Sequence, residues 1–339
     1  AARVFRMAID ALSIARHGMQ APLILSRLLV EEARFLNKRG MYEQAAEDAE
    51  SAVGLAQANQ AAGPEAAGRV QWGAALWNLG NYAGACPQLE QALALAHTAQ
   101  SHPVEADSLY NLGFVYWHLG NYAAAGGHFE GALRIYREIG DRQSESLALA
   151  CLGLLAHHLG DDETAHERCH QALRIARDIG NRRVEGYALT RLGHALAGLG
   201  RLAEAAETYR QALALQRELG QANLAMEPLA GLARVSLAQG DLAQARAHVA
   251  EILAHLEGHT LDGTDEPLRV YLTCYRVLCA AQDARAQEIL ATAHRLLRER
   301  AARIGNEELR RSFLENVAVH REIARALESA DYEKLPNEV

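Results

Sequence analysis

Residues 120–125 read Gly-Asn-Tyr-Ala-Ala-Ala, and related segments recur along the chain at a fixed spacing. Residues 80–85 read Gly-Asn-Tyr-Ala-Gly-Ala, and residues 240–245 read Gly-Asp-Leu-Ala-Gln-Ala. The first residues of these segments lie 40 positions apart, at Gly40, Gly80, Gly120, Gly160, Gly200 and Gly240. A fixed period of this length is typical of stacked repeats, in which each unit buries its apolar face against the next. The period therefore predicts an extended array, and it favours binding over catalysis because arrays present long surfaces.

The composition favours an all-helical chain outside membranes. The 339 residues are 50% hydrophobic and 6% aromatic, with only seven prolines, and the strong helix formers Ala and Leu dominate. The net charge of −8 argues against general affinity for nucleic acid. The five cysteines have no disulfide-like spacing, and no apolar run approaches the length of a membrane span. We therefore expect a cytoplasmic protein with neither a nucleic-acid nor a membrane partner.

Each period contains two helical patterns, of which the third is the clearest. A first helix is predicted over about 104–119 and a second over about 122–139, with Gly120 ending the first. Small residues share one register position in the first helices, namely Ala33, Gly73, Gly113, Gly153, Gly193 and Ala233. Glycine inside a helix costs about 1 kcal/mol, so this column of small residues predicts that two helices cross closely there.

The order of these residues resembles the tetratricopeptide repeat. A small residue follows Leu in the first helix, Gly-x-Tyr forms the turn, and Ala, an aromatic residue and Ala follow in the second helix. The unit is longer than the usual repeat, and in this it resembles the long-helix variety found in large bacterial signalling proteins. The resemblance implies an all-α fold, a right-handed superhelix of antiparallel helix pairs with a 40-residue period.

The resemblance also suggests how the chain is organised. We interpret 1–20 as the second helix of a preceding repeat, 21–257 as six repeats, 258–305 as a degenerate seventh repeat, and 306–339 as a capping helix and tail. The capping helix is predicted over about 307–328. The stretch 257–267 has no helical period, and we expect a hinge there.

The segment 303–323 is similar to the end of repeat arrays in multidomain bacterial regulators. In those proteins the array follows a nucleotide-binding (NB-ARC) module of the STAND class of signalling ATPases, or a cyclase or DNA-binding domain. No Gly-x4-Gly-Lys-Ser/Thr motif occurs here, and the sequence begins Ala-Ala-Arg without Met, so we expect such a module in a preceding part of a longer protein.

The resemblance thus implies a sensor that binds a protein, a peptide or a small effector in its concave groove and contacts the missing N-terminal domains. The alternative is a constitutive scaffold for protein assembly that does not switch. No cofactor is expected.

The candidate binding residues lie on the first helices, whose outer stripe is expected to line the concave face. The stripe comprises Arg34, Trp77, Asn78, Tyr110, Phe114, Trp117, His118, His157, His158, Tyr187, His194 and Arg234. Aromatic side chains with polar tips favour recognition surfaces. Two alternatives remain open: the stripe is buried against neighbouring helices, or His118, His157 and His158 form a metal-binding or pH-responsive cluster.

The segment 166–170 matches a metal-site motif. It reads His-Glu-Arg-Cys-His, so His166 and His170 lie one helical turn apart, as in zinc hydrolases that use the intervening Glu167 as a base. The same register places this segment inside the second helix of the fourth repeat, with Cys169 in a core column. We therefore expect neither an enzyme nor a metal site, and a zinc hydrolase stays a remote alternative.

Overall fold

The computed structural model describes residues 21–332, which contain sixteen α-helices and no β-strand. The first six helices are α1 (Ala21–Arg39), α2 (Tyr42–Ala58), α3 (Ala62–Asn78), α4 (Tyr82–Thr98), α5 (His102–His118) and α6 (Tyr122–Ile139). The next six are α7 (Arg142–His158), α8 (Asp162–Asp178), α9 (Arg182–Gly198), α10 (Leu202–Glu218), α11 (Ala222–Ala238) and α12 (Leu242–Leu256). The last four are α13 (Pro267–Ala280), α14 (Arg285–Ala302), α15 (Glu307–Glu315) and α16 (Ala318–Tyr332). The helix expected over 1–20 and the tail 333–339 lie outside the described residues.

The helices pair in the order that the sequence period predicts. Each of the six pairs from α1–α2 to α11–α12 packs a first helix against the second helix that follows it, and α13–α14 form a seventh pair. The predicted all-helical repeat architecture is therefore confirmed. None of the described helices is both long enough and apolar enough to cross a bilayer.

The chain forms two compact units. Unit 1 contains α1–α6, up to residue 118 and from 122 to 140, and unit 2 contains residues 119–121 and α7–α16. In each unit the small alanines of facing helices are fully buried, as Ala85 and Ala125 are in unit 1 and Ala165 and Ala205 are in unit 2. These small side chains let the facing helices approach closely, and the resulting close packing stabilises both units.

The turns between helices use glycine and a capping side chain. Gly140, for example, has a φ of 73°, a left-handed conformation that L side chains rarely adopt, and Asp141 then accepts a hydrogen bond from the Ser144 backbone N–H at 3.0 Å. Three equivalent positions carry glutamine instead, at Gln60, Gln100 and Gln282, each with a φ between 51° and 54°. The left-handed conformation is therefore imposed by the repeat even where glycine is absent.

The column of small residues marks the closest helix crossings. A Cβ atom on Gly113 would lie 2.5 Å from the Phe129 ring, and one on Gly193 would lie 2.5 Å from the Tyr209 ring. Phe129 and Tyr209 are each only 1% exposed. Glycine is thus required where a large side chain of the second helix packs against the backbone of the first.

The C-terminal region differs from its prediction, because two helices, α15 and α16, replace the single helix expected over about 307–328. The helix is interrupted at residues 316–317, and the turn there brings the His320 ring against Phe313. The His320 ring lies 4.3 Å from the Phe313 ring, and its Nδ1 donates to the Phe313 carbonyl oxygen at 2.6 Å. Burying this pair favours the break, since Phe313 is 1% exposed.

Candidate binding faces on the first helices

In unit 1, side chains of α3 and α5 form what we call the aromatic group, whose members are Trp77, Tyr110, Phe114, Trp117 and His118. The Trp77 ring lies nearly parallel to Phe114, with centroids 4.7 Å apart, and Tyr110 meets Phe114 edge-on at 5.3 Å. The indole Nε1 of Trp77 donates to Asn111 Oδ1 at 2.9 Å. Ring contacts and this hydrogen bond fix the orientation of Trp77 relative to α5.

The aromatic group has a buried layer and a partly exposed layer. Phe114 is 3% exposed and Trp117 is 6% exposed, so the structure places both in the core, contrary to the expectation that they line an open face. The reason is packing onto α6, where the Phe114 and Phe129 centroids are 5.4 Å apart. Trp77, Tyr110 and His118 are half-buried and form the outer layer.

The remaining predicted residues of unit 1 contact their own helix or the turn before the next one. His118 stacks on Tyr82 with centroids 5.0 Å apart, and Tyr82 is buried, as expected for a turn tyrosine. Asn78 donates to the Ala74 carbonyl oxygen at 2.8 Å, and Arg34 pairs with Glu31 at 3.0 Å. Asn78 and Arg34 are thus held by contacts within their own helices and do not belong to the aromatic group.

In unit 2, the predicted residues His157, His158, His194 and Arg234 come together with two residues of the seventh repeat, Glu266 and Arg269. We call these six residues the polar cluster. His157 Nδ1 lies 2.5 Å from Asp162 Oδ1, and Arg269 Nη2 donates to His157 Nε2 at 3.2 Å. Because an arginine cannot accept, Nε2 is unprotonated and Nδ1 donates to Asp162. Burial and the neighbouring Arg269 lower the pKa of His157.

His194 lies at the buried end of the polar cluster. It is 3% exposed, and its Nδ1 lies 2.6 Å from the Tyr209 hydroxyl and 3.5 Å from Arg234 Nη2. Burial, together with Arg269 and Arg234, holds the pKa of His194 well below its usual value. The neutral ring thus accepts at Nδ1, and Arg234 also donates to Thr273 Oγ1 of α13 at 3.1 Å. His194 is therefore a core histidine rather than part of an open face.

Glu266 is the anion at the centre of the polar cluster. Its carboxylate lies 2.8 Å from Arg269 Nη1 and 3.2 Å from His158 Nε2. Although burial opposes ionisation, Arg269 and His158 hold the pKa of Glu266 well below its usual value. His158 and Arg269 thus bind a carboxylate of their own chain.

The sequence reasoning missed the partners of the polar cluster. Arg191 is 3% exposed, and its Nε and Nη2 donate to Asp265 Oδ2 at 3.1 and 2.6 Å. Glu227, 7% exposed, accepts from the Glu266 backbone N–H at 2.8 Å. The sequence contained one signal of this pair. Arg191 shares a register position with Asn111 and Cys151, which is buried in these repeats, and a buried charge needs a partner.

Tyr187 is half-buried on α9, one turn before Arg191. The guanidinium carbons of Arg183 and Arg191 lie 5.8 and 5.6 Å from the centroid of its ring. Both distances fit cation–π contacts. Tyr187 thus packs between arginines instead of joining the polar cluster directly.

The zinc-motif residues lie on α8, in the second helix of the fourth repeat. The rings of His166 and His170 stack with centroids 6.1 Å apart, while Glu167 and His170 are exposed. In the part of the chain that the structure describes, no three His, Cys, Asp or Glu side chains are grouped so as to hold a metal ion. A zinc site of the usual kind needs at least three protein ligands, and this helix supplies two.

Comparison with known proteins identifies the repeats. Residues 140–336 match the family described as the MalT-like TPR region, and residues 64–138 match the tetratricopeptide repeat. No curated protein matches the sequence.

Several solved structures share the fold. Aspartyl phosphate phosphatase F from Bacillus subtilis is 14% identical with a TM-score of 0.61, over 77% of this chain and 66% of that chain. A Rap protein complexed with Competence and Sporulation Factor is 17% identical with a TM-score of 0.61, over 98% and 97%. A STAND protein with a tetratricopeptide repeat sensor from Pyrococcus horikoshii is 16% identical with a TM-score of 0.52, over 92% and 55%.

At these identities, the structural likeness shows the fold alone. The family match rests on the sequence itself and covers more than half of the chain. The chain is therefore a tetratricopeptide-repeat interaction module that belongs to the MalT-like TPR region family.

Proposed function

We propose that the chain is the ligand- or protein-binding sensor module of a larger signal-transduction regulator of the STAND type. Two comparisons support this proposal: the MalT-like family match, and the shared fold of a STAND protein whose repeat region is described as a sensor. In such a regulator the module acts in the cytoplasm and contacts the ATPase domains of the same chain. Ligand binding then shifts the regulator only if the ligand binds one of its states more tightly than the other.

The outer layer of the aromatic group carries the proposal. Trp77, Tyr110 and His118 are partly exposed, and each combines a flat ring with a polar tip. The buried Phe114 and Trp117 hold these rings in place, so little side-chain freedom is lost on binding. Anchored rings of this kind are the side chains that dominate binding energy at protein and peptide interfaces. We propose that a peptide or small effector binds there, with Asn78 and Arg34 at its edge.

A thermal-shift screen tests this site. Peptide and metabolite libraries are screened against the wild-type chain, and each hit is re-measured with Trp77→Ala and Tyr110→Ala. Tyr187→Ala is the matched control, since Tyr187 is an equally half-buried first-helix tyrosine of unit 2. We expect hits to lose their shift in the first two variants and to keep it in the control. Hits that bind all three variants equally would place the binding site elsewhere.

The switching role needs a second experiment. The complete reading frame is expressed, and nucleotide hydrolysis is measured with and without the confirmed hit. A ligand-dependent rate supports the sensor, whereas a rate that ignores a bound ligand, or a reading frame without a nucleotide-binding motif, supports the constitutive scaffold.

A further inference from the structure

The segment between α12 and α13 is anchored to three first helices of unit 2. Asn223 of α11 donates to the Asp262 carbonyl oxygen at 3.1 Å, and Arg191 of α9 binds the Asp265 carboxylate. His158 of α7 binds the Glu266 carboxylate, as described above. The side chains of Leu261 and Thr264 are each 4% exposed. We call residues 261–269 the clasp, since Arg269 extends the same contacts to His157.

Side-chain charges close the clasp together with the buried side chains of Leu261 and Leu268. Its anions Asp265 and Glu266 face Arg191 and His158. The carboxyl group of Glu227 lies near both anions and accepts a hydrogen bond from the Glu266 backbone N–H. Within unit 2, α13 packs less extensively against α12 than α9 packs against α8 or α11 packs against α10. A buried ion pair adds little net stability compared with apolar packing, because both charges lose their hydration.

We propose that the clasp is a two-state element: closed, it ties the first helices of the fourth to sixth repeats to the seventh repeat, and open, it releases α13 and exposes Arg191, Arg234 and Arg269. The segments of a fold that open locally are usually its least stable parts. A signalling module needs such an element, because a ligand acts only by favouring one of two states. This inference adds a regulatory device to the proposed sensor, but its test needs no ligand, so the two can fail separately.

Hydrogen exchange measured by mass spectrometry tests the clasp on the whole chain. Asp265→Asn removes the anion that Arg191 binds, and we expect the amides of 258–280 to exchange at least about tenfold faster, since breaking a buried pair is strongly destabilising. Unit 1 and α8 are expected to keep their protection. Asp262→Asn is the matched control. That carboxylate is more exposed, accepts from Thr260 of its own segment and lies 4.0 Å from Arg300 of α14, a distance at which a part-exposed pair contributes little, so exchange is expected to match the wild type.

A second variant covers the case in which Asp265→Asn does not fold. Arg191→Met combined with Asp265→Leu replaces the ion pair by apolar side chains, which typically preserves or raises stability. We expect this variant to hold the clasp closed, with exchange over 258–280 equal to or slower than in the wild type. Unchanged exchange in Asp265→Asn, or faster exchange spread evenly over unit 2, would overturn the proposal. So would faster exchange over 258–280 in the apolar variant.

Discussion

At the scale of single residues, the left-handed turn positions show how the repeat constrains its sequence. Between residues 21 and 332, nine of the turns between helices place glycine at a positive φ, while Gln60, Gln100 and Gln282 adopt the same conformation with a side chain. A left-handed conformation costs an L-residue roughly 1–2 kcal/mol. The glutamines therefore mark local strain that the packing of the adjacent helices offsets.

Replacing one of these glutamines should stabilise the protein. Gln100 has a φ of 51° and is exposed, so Gln100→Gly relieves strain without removing a packed side chain. We expect unit 1 to gain about 0.5–1 kcal/mol, after the greater chain entropy of glycine is subtracted. The reverse change, Gly180→Gln at a φ of 66°, should destabilise unit 2 by a similar amount. Urea unfolding measures the free energy of unfolding of both variants, and a lower value for Gln100→Gly than for the wild type would contradict the inferred strain.

The buried titratable groups of unit 2 predict a stability optimum. Burial and the nearby Asp265 and Glu266 raise the pKa of Glu227 to about 8, with Arg191 opposing. Because the folded pKa exceeds the unfolded one, the stabilisation from the bound proton is complete below the ordinary carboxyl pKa and is lost as the pH rises through about 8. Burial lowers the pKa of His157 and His194, and lowers that of His320 to about 4. Their stabilisation exists above the ordinary histidine pKa and is lost as the pH falls through the lowered values.

His248 and His255 have lowered pKa values as well. Below pH 6.5 the histidines together outweigh Glu227, and between pH 6.5 and about 8 the loss from Glu227 continues without them, so we expect unit 2 to be most stable near pH 6.5. Glu227→Gln separates the two sides. The carboxamide still accepts from the Glu266 N–H but cannot ionise, so the variant should match the wild type only below the ordinary carboxyl pKa, and its advantage in melting temperature should grow as the pH rises to about 8 and stay constant at pH 9. Thermal unfolding by circular dichroism across this range measures the difference. An equal loss of melting temperature in both proteins above pH 7 would show that Glu227 is not responsible.

At the scale of helices, the small-residue column sets how closely a first and a second helix approach. Gly113→Ala adds a Cβ that would lie 2.5 Å from the Phe129 ring, so the pair must separate. Such overpacking typically costs about 1–3 kcal/mol. Gly127→Ala is the control, because a Cβ there meets nothing within 4 Å and alanine favours the helix by about 0.5–1 kcal/mol. In chemical unfolding, Gly113→Ala should lower the free energy of unfolding and Gly127→Ala should raise it. An unchanged free energy in Gly113→Ala would mean that the helices do not cross tightly.

The helices themselves could be predicted from sequence, because their determinants are local. The glycine period, the Asn or Asp after it and the small column each report on a few adjacent residues, and α5 and α6 begin and end within about two residues of their predicted bounds. The break between α15 and α16 could not be predicted in this way, since it depends on how Phe313 and His320 pack in the folded unit.

The site was harder to predict than the helices, because register shows which residues share a face but not what covers that face. His157, His158, His194 and Arg234 lie on first helices, yet segment 261–269 packs over them, which the register does not show. Arg191 and Asp265 are 74 residues apart in sequence, so no periodic pattern joins them. In unit 1, burial by α6 separates Phe114 from the more exposed Trp77.

At the scale of the whole molecule, the two units differ in what their first helices present. In unit 1, half-buried rings with polar tips lie on a buried aromatic layer. In unit 2, the equivalent faces carry buried charges that are paired with the clasp. This difference is the basis on which we propose ligand recognition for unit 1 and a change of state for unit 2.

The most direct test of this account is a calorimetric titration of the strongest hit from the thermal-shift screen. The hit is titrated into the wild-type chain and into Trp77→Ala and Tyr187→Ala. Losing a desolvated aromatic anchor typically costs about 2 kcal/mol or more, so Trp77→Ala should weaken the Kd by at least roughly 30-fold. The account predicts this loss with an unchanged Kd for Tyr187→Ala. An unchanged Kd for Trp77→Ala, or an equal loss in both variants, would contradict it.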